Sequence, residues 1–313
     1  MSERIDVSRP RLEALLSNWG LGALVEAERA SLGIENTNYF VTLEQSDGSR
    51  SHWVLTLMAR PPTRTALDVL ELLQARGLPV PAPQGDLAGE PVVPVPGGGH
   101  ALLAPRLAGS HPEQPGVRAC AAAGRFLARM HAHTAQIHAP EHPRNTDWMR
   151  MRLAVHRQRL GFAARDLLET SVLGLTVVQR RRDWHRMPHG VVHGDLFRDN
   201  ALFEGEELAG VIDFHHAARA PLAFDLAVTA NDWCRHPAGG LDRARMLALL
   251  RAYDSERSLT PLELWFWPVL LVLAATRFWI ARLDSPRKPP EEMMSLLRHL
   301  LLHPPRLHPS LAV

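Results

Sequence analysis

Lysine is almost missing from this chain. Lys288 is the only one, so nearly every fixed cation is an arginine. Schiff-base or pyridoxal-phosphate chemistry would have to use Lys288, which lies in the proline-rich stretch 286–290, and is set aside on that ground. Cysteine is nearly as scarce. Cys120 and Cys234 both sit in apolar, helix-like text and read as buried thiols rather than a disulfide framework. An excess of one charge is also lacking, with 35 Lys and Arg against 33 Asp and Glu, so no basic stripe points to nucleic acid. The densest basic run, Arg180-Arg181-Arg182, is followed at once by Asp183 and reads as a solvated helix face. No apolar run is long enough for a bilayer: the longest, 264–276, contains Pro268, ends at Arg277 and reads as a core helix. The first residues show no charged-then-apolar leader pattern. A cytoplasmic protein is expected, without nucleic-acid or membrane partners; oligomeric state has no signature in the sequence.

What is present suits a folded globular protein. With 313 residues, 46% of them hydrophobic, the chain can build one large domain or two lobes, each with its own core. The first third is mixed. Strand-like runs at 39–43 and 52–58 flank the turn signal Ser46-Asp47-Gly48-Ser49. A helix comes next, with Ala66, Leu67, Val69, Leu70 and Leu73 on its apolar side and Gly77 as its stop. Two further strands are expected at 91–95 and 100–106, and Gly97-Gly98-Gly99 between them reads as a hairpin turn because no helix start follows it. From about 117 the text turns helical, with helices expected at 119–130, 148–168, 241–253 and 262–283. One β-like island, 191–214, interrupts them.

The island carries the chemistry. It reads Val191-Val192-His193-Gly194-Asp195, then Leu196-Phe197-Arg198-Asp199-Asn200, and later Val211-Ile212-Asp213-Phe214. Phosphoryl transfer needs one group to accept the hydrogen bond of the attacking hydroxyl and oxygen ligands to hold Mg²⁺ against the phosphates. Asp195 can face the hydroxyl, while Asn200 and Asp213 can supply oxygens to a hard cation that keeps several waters. Asp-x-x-x-x-Asn followed by Asp-Phe is the order found in protein-kinase catalytic and metal loops. Any one of these residues alone is an ordinary turn residue; the ordered set between two strands is specific. His193 is expected to orient the loop rather than move protons. His215 and His216 stay open between substrate-site and exposed-loop roles.

At these residues the chain resembles the aminoglycoside phosphotransferase superfamily, and within it the homoserine kinases. The resemblance runs through Gly33-Ile34-Glu35-Asn36-Thr37-Asn38-Tyr39-Phe40-Val41, Val54-Leu55-Thr56-Leu57, Gly77-Leu78-Pro79-Val80-Pro81 and Pro105-Arg106-Leu107-Ala108-Gly109. It continues through 193–200, Asn231-Asp232-Trp233-Cys234 and 277–283, nearly the whole chain in order. The resemblance implies an α+β, bilobal protein-kinase-like fold. A small sheet-rich nucleotide-binding lobe with its hinge would span 1–107, a larger mainly helical catalytic and substrate lobe 108–303, and an irregular tail 304–313. It implies ATP and Mg²⁺ as cofactors, Asp195 as catalytic base, and Asn200 and Asp213 as metal ligands. Gly33, Asn36, Thr37 and Asn38 would form the turn over the phosphates, with Val54, Thr56, Leu103 and Pro105 completing the nucleotide site. Asp225 would brace the catalytic loop.

One departure matters. The strand lysine that pairs the α- and β-phosphates in kinases falls at Thr56. Its cationic replacement stays open between Arg60 and Arg64, and the pairing role of Asp68 or Glu71 is open with it. L-homoserine as acceptor would need a cation for its carboxylate, with Arg277 and Arg282 as candidates, and an acid for its ammonium, with Asp232 the best placed. Rival readings are a kinase for another alcohol (an aminoglycoside, a choline-like compound or a sugar) and a nucleotide-binding pseudokinase. A metal role for His131, His133, His138 and His142 is the weakest, since nothing completes a tetrahedral set.

Overall fold

A computed structural model of the chain describes residues 7–30, 36–236, 239–283 and 291–307. It resolves into two compact units, Met1–Ala108 and Gly109–Val313.

In the first unit, α1 (Arg9–Leu16) precedes a five-stranded antiparallel sheet of β1 (Ala23–Arg29), β2 (Thr37–Glu44), β3 (Arg50–Met58), β4 (Val93–Pro94) and β5 (His100–Pro105), in the order β1-β2-β3-β5-β4. The β2–β3 hairpin turns at the expected place, where Asp47 Oδ1 accepts the Ser49 N–H at 2.9 Å. Alternation then decides the faces. Tyr39, Val41 and Leu43 on β2, and Leu55 and Leu57 on β3, bury against Leu12, Leu15 and Leu16 of α1. The strand expected at 91–95 shrinks to Val93–Pro94, and the glycines 97–99 form its hairpin, with the Gly98 N–H donating to the Val95 carbonyl at 3.0 Å. β1 was not expected. Only Leu24 in it is buried, and Glu26, Glu28 and Arg29 carry charge, as an edge strand facing solvent tends to. Helix α2 (Arg64–Ala75) starts where Thr63 Oγ1 caps the Ala66 N–H at 3.2 Å and buries Ala66, Val69 and Leu73.

The second unit is mainly helical. Its elements are α3 (Val117–His133), α4 (Thr146–His156), α5 (Phe162–Gln179), α6 (Arg182–His185), β6 (His189–Val192), β7 (Ala201–Glu204), β8 (Glu207–Val211), β9 (Ala218–Pro221), α7 (Ala223–Trp233), α8 (Arg243–Asp254), α9 (Pro261–Arg282) and α10 (Glu291–Leu302). The strands form two small antiparallel ribbons, β6–β9 and β7–β8. The single helix expected at 148–168 is two. Helix α4 stops at His156, a 3₁₀ turn occupies Arg157–Arg159, and Gly161 in extended backbone starts α5. The apolar positions keep helical spacing through both segments, which hid the break.

Helix α9 is 22 residues long and apolar enough to cross a bilayer by length and composition, longer than the run in the sequence suggested. Most of it is buried inside the unit, Glu263, Thr276 and Arg277 included, which makes it a core helix. Its start is a capping box: Thr260 Oγ1 accepts the Glu263 N–H, and the Glu263 carboxylate accepts the Thr260 N–H. Helices α3 and α8 approach so closely that a Cβ on Gly124 would lie 2.2 Å from the Leu249 carbonyl oxygen. Residues 304–307 have no regular structure.

Candidate active site

β6 delivers the chain to His193-Gly194-Asp195, and α7 holds the loop from there to Arg198. Asp225 accepts the N–H groups of His193 and Gly194, one on each carboxylate oxygen, both at 2.7 Å. One and two turns further along the same helix, Thr229 Oγ1 and Trp233 Nε1 donate to the Leu196 carbonyl at 3.3 and 3.1 Å. Asp232 Oδ2 accepts the Arg198 N–H at 2.9 Å and its Nε at 3.1 Å. Positions 225, 229, 232 and 233 share one helical face. A polar stripe in an otherwise apolar helix is thus the template for the loop. That spacing was visible in the sequence, but only the bracing role of Asp225 was expected, and that from the family resemblance.

The brace extends inward. His131 Nε2 donates to Asp225 Oδ2 at 3.0 Å, and its Nδ1 lies 2.8 Å from the Tyr253 hydroxyl. Arg257 Nη1 donates to that hydroxyl and to Glu263 Oε1, each at 3.0 Å. Nothing in the spacing of these residues announced this chain of bonds.

His193 is fully buried, and both ring nitrogens are engaged. Nδ1 accepts the Asp195 N–H at 3.2 Å, which leaves Nε2 protonated to donate to the Ile212 carbonyl at 3.0 Å. Burial holds its pKa below the ordinary imidazole value, consistent with a neutral orienting ring. Gly194 sits at φ +76°, where a Cβ would lie 3.2 Å from the His216 carbonyl oxygen and 3.4 Å from His142 Nε2. Asn200 turns its Nδ2 onto the Asp195 carbonyl at 2.8 Å and, more weakly, toward Asp195 Oδ2 at 3.4 Å. That orientation points its amide oxygen the other way.

Asp213 has φ 70° and ψ 62°; among the described residues no other non-glycine residue has positive φ. A left-handed aspartate costs about 1 kcal/mol or more and persists where function or surroundings demand it. His215 Nδ1 lies 2.5 Å from its Oδ1. The two carboxyls of the site are driven apart in acidity. Burial, followed by the charge of Asp213, pushes Asp195 up to about 7. Burial also works to raise Asp213, but the hydrogen bond and charge of His215, with His193 beyond, outweigh it and hold that carboxyl below its ordinary value. Such a pair sets a carboxyl raised toward neutrality beside one held more acidic than usual.

The expected substrate residues are all in this unit but differ in availability. Arg277 is 3% exposed; its Nη1 lies 2.8 Å from His142 Nε2, and its Nη2 donates to the Gly194 carbonyl. Phe224 and Phe278 stack against its guanidinium at 4.5 and 4.6 Å. Asp232 is committed to Arg198, and Arg282 packs over the Phe197 ring at 5.6 Å. His131 and His142 serve different partners, the first Asp225 and the second Arg277, and do not come together as a metal set.

In the first unit, Gly33 lies outside the described residues. Asn36 precedes β2, while Thr37 and Asn38 begin it. The register pairs Asn38 with Thr56, Thr56 with Leu102, and Val54 with Phe40 and Ala104, so Asn38, Val54 and Thr56 share one sheet face. Leu103 points to the opposite face and is fully buried in the core, and its carbonyl accepts the Gln84 N–H at 2.7 Å. Pro105 ends β5 opposite Trp53. Arg64 is paired with Asp68 at 2.8 Å, and Arg60 is exposed.

A family model described as the phosphotransferase enzyme family matches residues 26–259. The chain belongs to that family. Among relatives of this phosphotransferase, a homoserine kinase from Pseudomonas aeruginosa is 39% identical over 287 residues, covering 90% of this chain and 88% of that one. One from Methylobacillus flagellatus is 36% identical over 289 residues, covering 91% and 88%. Among solved structures, an amicoumacin kinase in complex with AMP-PNP, Ca²⁺ and Ami has a TM-score of 0.68 at 17% identity, covering 94% of this chain and 92% of that one. A spectinomycin phosphotransferase in complex with ADP and its antibiotic has a TM-score of 0.66 at 13% identity, covering 94% and 95%. These likenesses establish the fold of this phosphotransferase as protein-kinase-like, with an antiparallel sheet in the first unit and a helical second unit.

Proposed function

We propose that the chain transfers the γ-phosphoryl group of ATP to the side-chain hydroxyl of L-homoserine, giving O-phospho-L-homoserine. The observation that carries the reading is the 39% identity to a homoserine kinase across 90% of the chain, together with the Asp195, Asn200 and Asp213 constellation.

Asp195 accepts the hydrogen bond of the acceptor hydroxyl and takes its proton as the oxygen attacks. A pKa near 7 suits that task, because it combines an appreciable ionised fraction at neutral pH with real basicity. The backbone brace from Asp225 and the His193 ring keep the carboxylate from swinging away, which is a positioning contribution. The donor set fits Mg²⁺: an amide oxygen from Asn200, left free by its Nδ2 bond to Asp195, and an ionised carboxylate from Asp213. When bound, Mg²⁺ supplies charge neutralisation and alignment for the transferred phosphoryl group. The sheet face bearing Asn38, Val54 and Thr56 is assigned to the nucleotide, with Leu103 and Pro105 contributing backbone. The residues at 193–213 carry the acceptor chemistry. With threonine at position 56, no strand lysine is available to the phosphates, and the choice of cation stays between Arg60 and Arg64.

The test is coupled ADP release with Mg·ATP and L-homoserine, L-serine, choline and kanamycin, with Asp195→Asn alongside. Homoserine-dependent release that disappears in the variant is the expected result. Turnover of another alcohol alone would overturn the acceptor assignment while keeping the chemistry. ATP binding with no turnover of any acceptor would point to a pseudokinase.

A further inference from the structure

An amino-acid alcohol must be held by its carboxylate as well as its hydroxyl; of the two arginines singled out in the sequence, Arg277 is buried and engaged, and Arg282 faces the acid Asp232. Arg277 gives Nη2 to the Gly194 carbonyl, has Nη1 against the His142 ring, and aromatic rings cover its guanidinium. It positions the loop from behind. Arg282 packs on Phe197, at the Asp232 side of the loop.

Arg144 is different. It opens the turn into α4, two residues after His142, and its own N–H donates to His142 Nδ1 at 3.1 Å. That bond ties its backbone to the ring that contacts Arg277 and stands 3.4 Å from the Cβ position of Gly194, next to Asp195. Among the described residues Arg144 has no carboxylate partner. Its guanidinium lies 5.8 Å from the Trp148 ring, one turn into α4, a contact that restrains a long side chain without using its hydrogen-bonding edge. It is half-buried, while neighbouring Arg150 and Arg219 pair with Asp147 and Glu141 at the surface. The field of Arg144 is felt at Asp195, His142, His216 and Arg277 alike. Burial first, then neighbouring positive charge, drives His142 down to about 2 and His216 to about 3, so both rings stay neutral and the arginines supply the positive charge. Four bonds separate the homoserine hydroxyl oxygen from its carboxyl carbon, about 5 Å when extended.

We infer that Arg144 is the specificity-determining residue of the acceptor site, forking its guanidinium onto the α-carboxylate of the amino-acid alcohol whose hydroxyl faces Asp195. The inference rests on the homoserine kinase reading and deepens it. A kinase for amino alcohols lacking the carboxylate has no use for an unpaired arginine there, so the residue separates L-homoserine from 3-aminopropan-1-ol, its decarboxylated counterpart.

The experiment compares kcat/KM for those two acceptors in wild type, Arg144→Met and Arg144→Lys, with circular-dichroism melts to verify folding. In Arg144→Met the homoserine KM should rise at least about 30-fold, the scale of a lost charge-assisted hydrogen-bond pair. The selectivity ratio, homoserine over aminopropanol, should fall by a similar factor. Arg144→Lys should recover part of both. A fall in activity that leaves the ratio within about twofold of wild type would overturn the inference while leaving the kinase reading intact, since a purely structural role moves both acceptors together. If wild type does not phosphorylate L-homoserine at all, the kinase reading fails separately. Calorimetric titration of L-homoserine into the protein loaded with AMP-PNP and Mg²⁺ then decides. Binding lost in Arg144→Met upholds the carboxylate site; binding that is absent, or equal in both proteins, overturns it.

Discussion

Replacing Asp195 by asparagine should make the protein more stable and nearly inactive, and the pH dependence of the first effect tests the electrostatic argument for the second. The carboxyl is raised from 3.8 to about 7, chiefly by burial and then by Asp213. Between those values the folded protein holds a proton that the unfolded chain has released. Stability therefore falls as pH rises through that window and stays lowered above it. A shift of roughly three units corresponds to about 4 kcal/mol at full value. Partial solvent access and relaxation around the loop lower the expectation to about 1–3 kcal/mol. Asparagine keeps the shape, never ionises, and forfeits only the weak 3.4 Å contact from Asn200 Nδ2. Urea unfolding in metal-free buffer should show the variant more stable than wild type at pH 8 and the gap shrinking markedly by pH 5. On heating, each kcal/mol should appear as about 2–4 °C for a unit of this size. Turnover with Mg·ATP should drop about 10²–10⁴-fold, the range for losing a general base. A gap that is the same at both pH values, or a variant less stable than wild type at pH 8, would refute the claim that a buried, ionisable Asp195 is held at a cost to the fold.

Three further outcomes are expected from the packing and the brace. Asp213→Ala should lose turnover at any Mg²⁺ concentration and destabilise by about 1–2 kcal/mol, because alanine tolerates the left-handed backbone poorly; Asp213→Gly should restore the stability but not the activity, as melts and rate titrations would show. Tyr253→Phe removes the hydroxyl between His131 and Arg257, both buried or nearly so, and should cost about 1–3 kcal/mol by urea unfolding. Gly124→Ala would press a Cβ to 2.2 Å from the Leu249 carbonyl oxygen, so α3 and α8 must separate; a loss of about 1–3 kcal/mol or more in thermal or urea melts is expected.

The catalytic loop was legible because its chemistry needs certain residue types at short, fixed intervals along one stretch of chain. Asp195, Asn200 and Asp213 meet in the fold because two short ribbons, β6–β9 and β7–β8, flank them in sequence. The β2–β3 hairpin and the α2 helix were legible for a similar reason: a turn signal between strand-like runs and an apolar stripe closed by a glycine are both local. Element ends were less so. The break at 157–161 hid inside continuous helical spacing, and β1 hid because an edge strand buries almost nothing.

By itself, then, the sequence pointed to ATP-dependent phosphoryl transfer, through ordered polar residues between apolar strands and the family resemblance they carry. It also determined the class of fold, through a sheet-patterned first third and helical spacing afterwards. Only the tertiary structure decided which charged side chains are already spent. Arg277 reads from sequence as a cation in need of an anion, yet it is buried against the Gly194 carbonyl, His142 and two phenylalanines. Leu103 was expected in the nucleotide site from the resemblance, and only strand register showed that its side chain turns into the core. Arg144 carried no signal until its neighbours were placed. The physical reason is the range of the interactions: backbone preference and hydrophobic period act over a few residues, whereas the partner of a buried charge comes from wherever the chain returns.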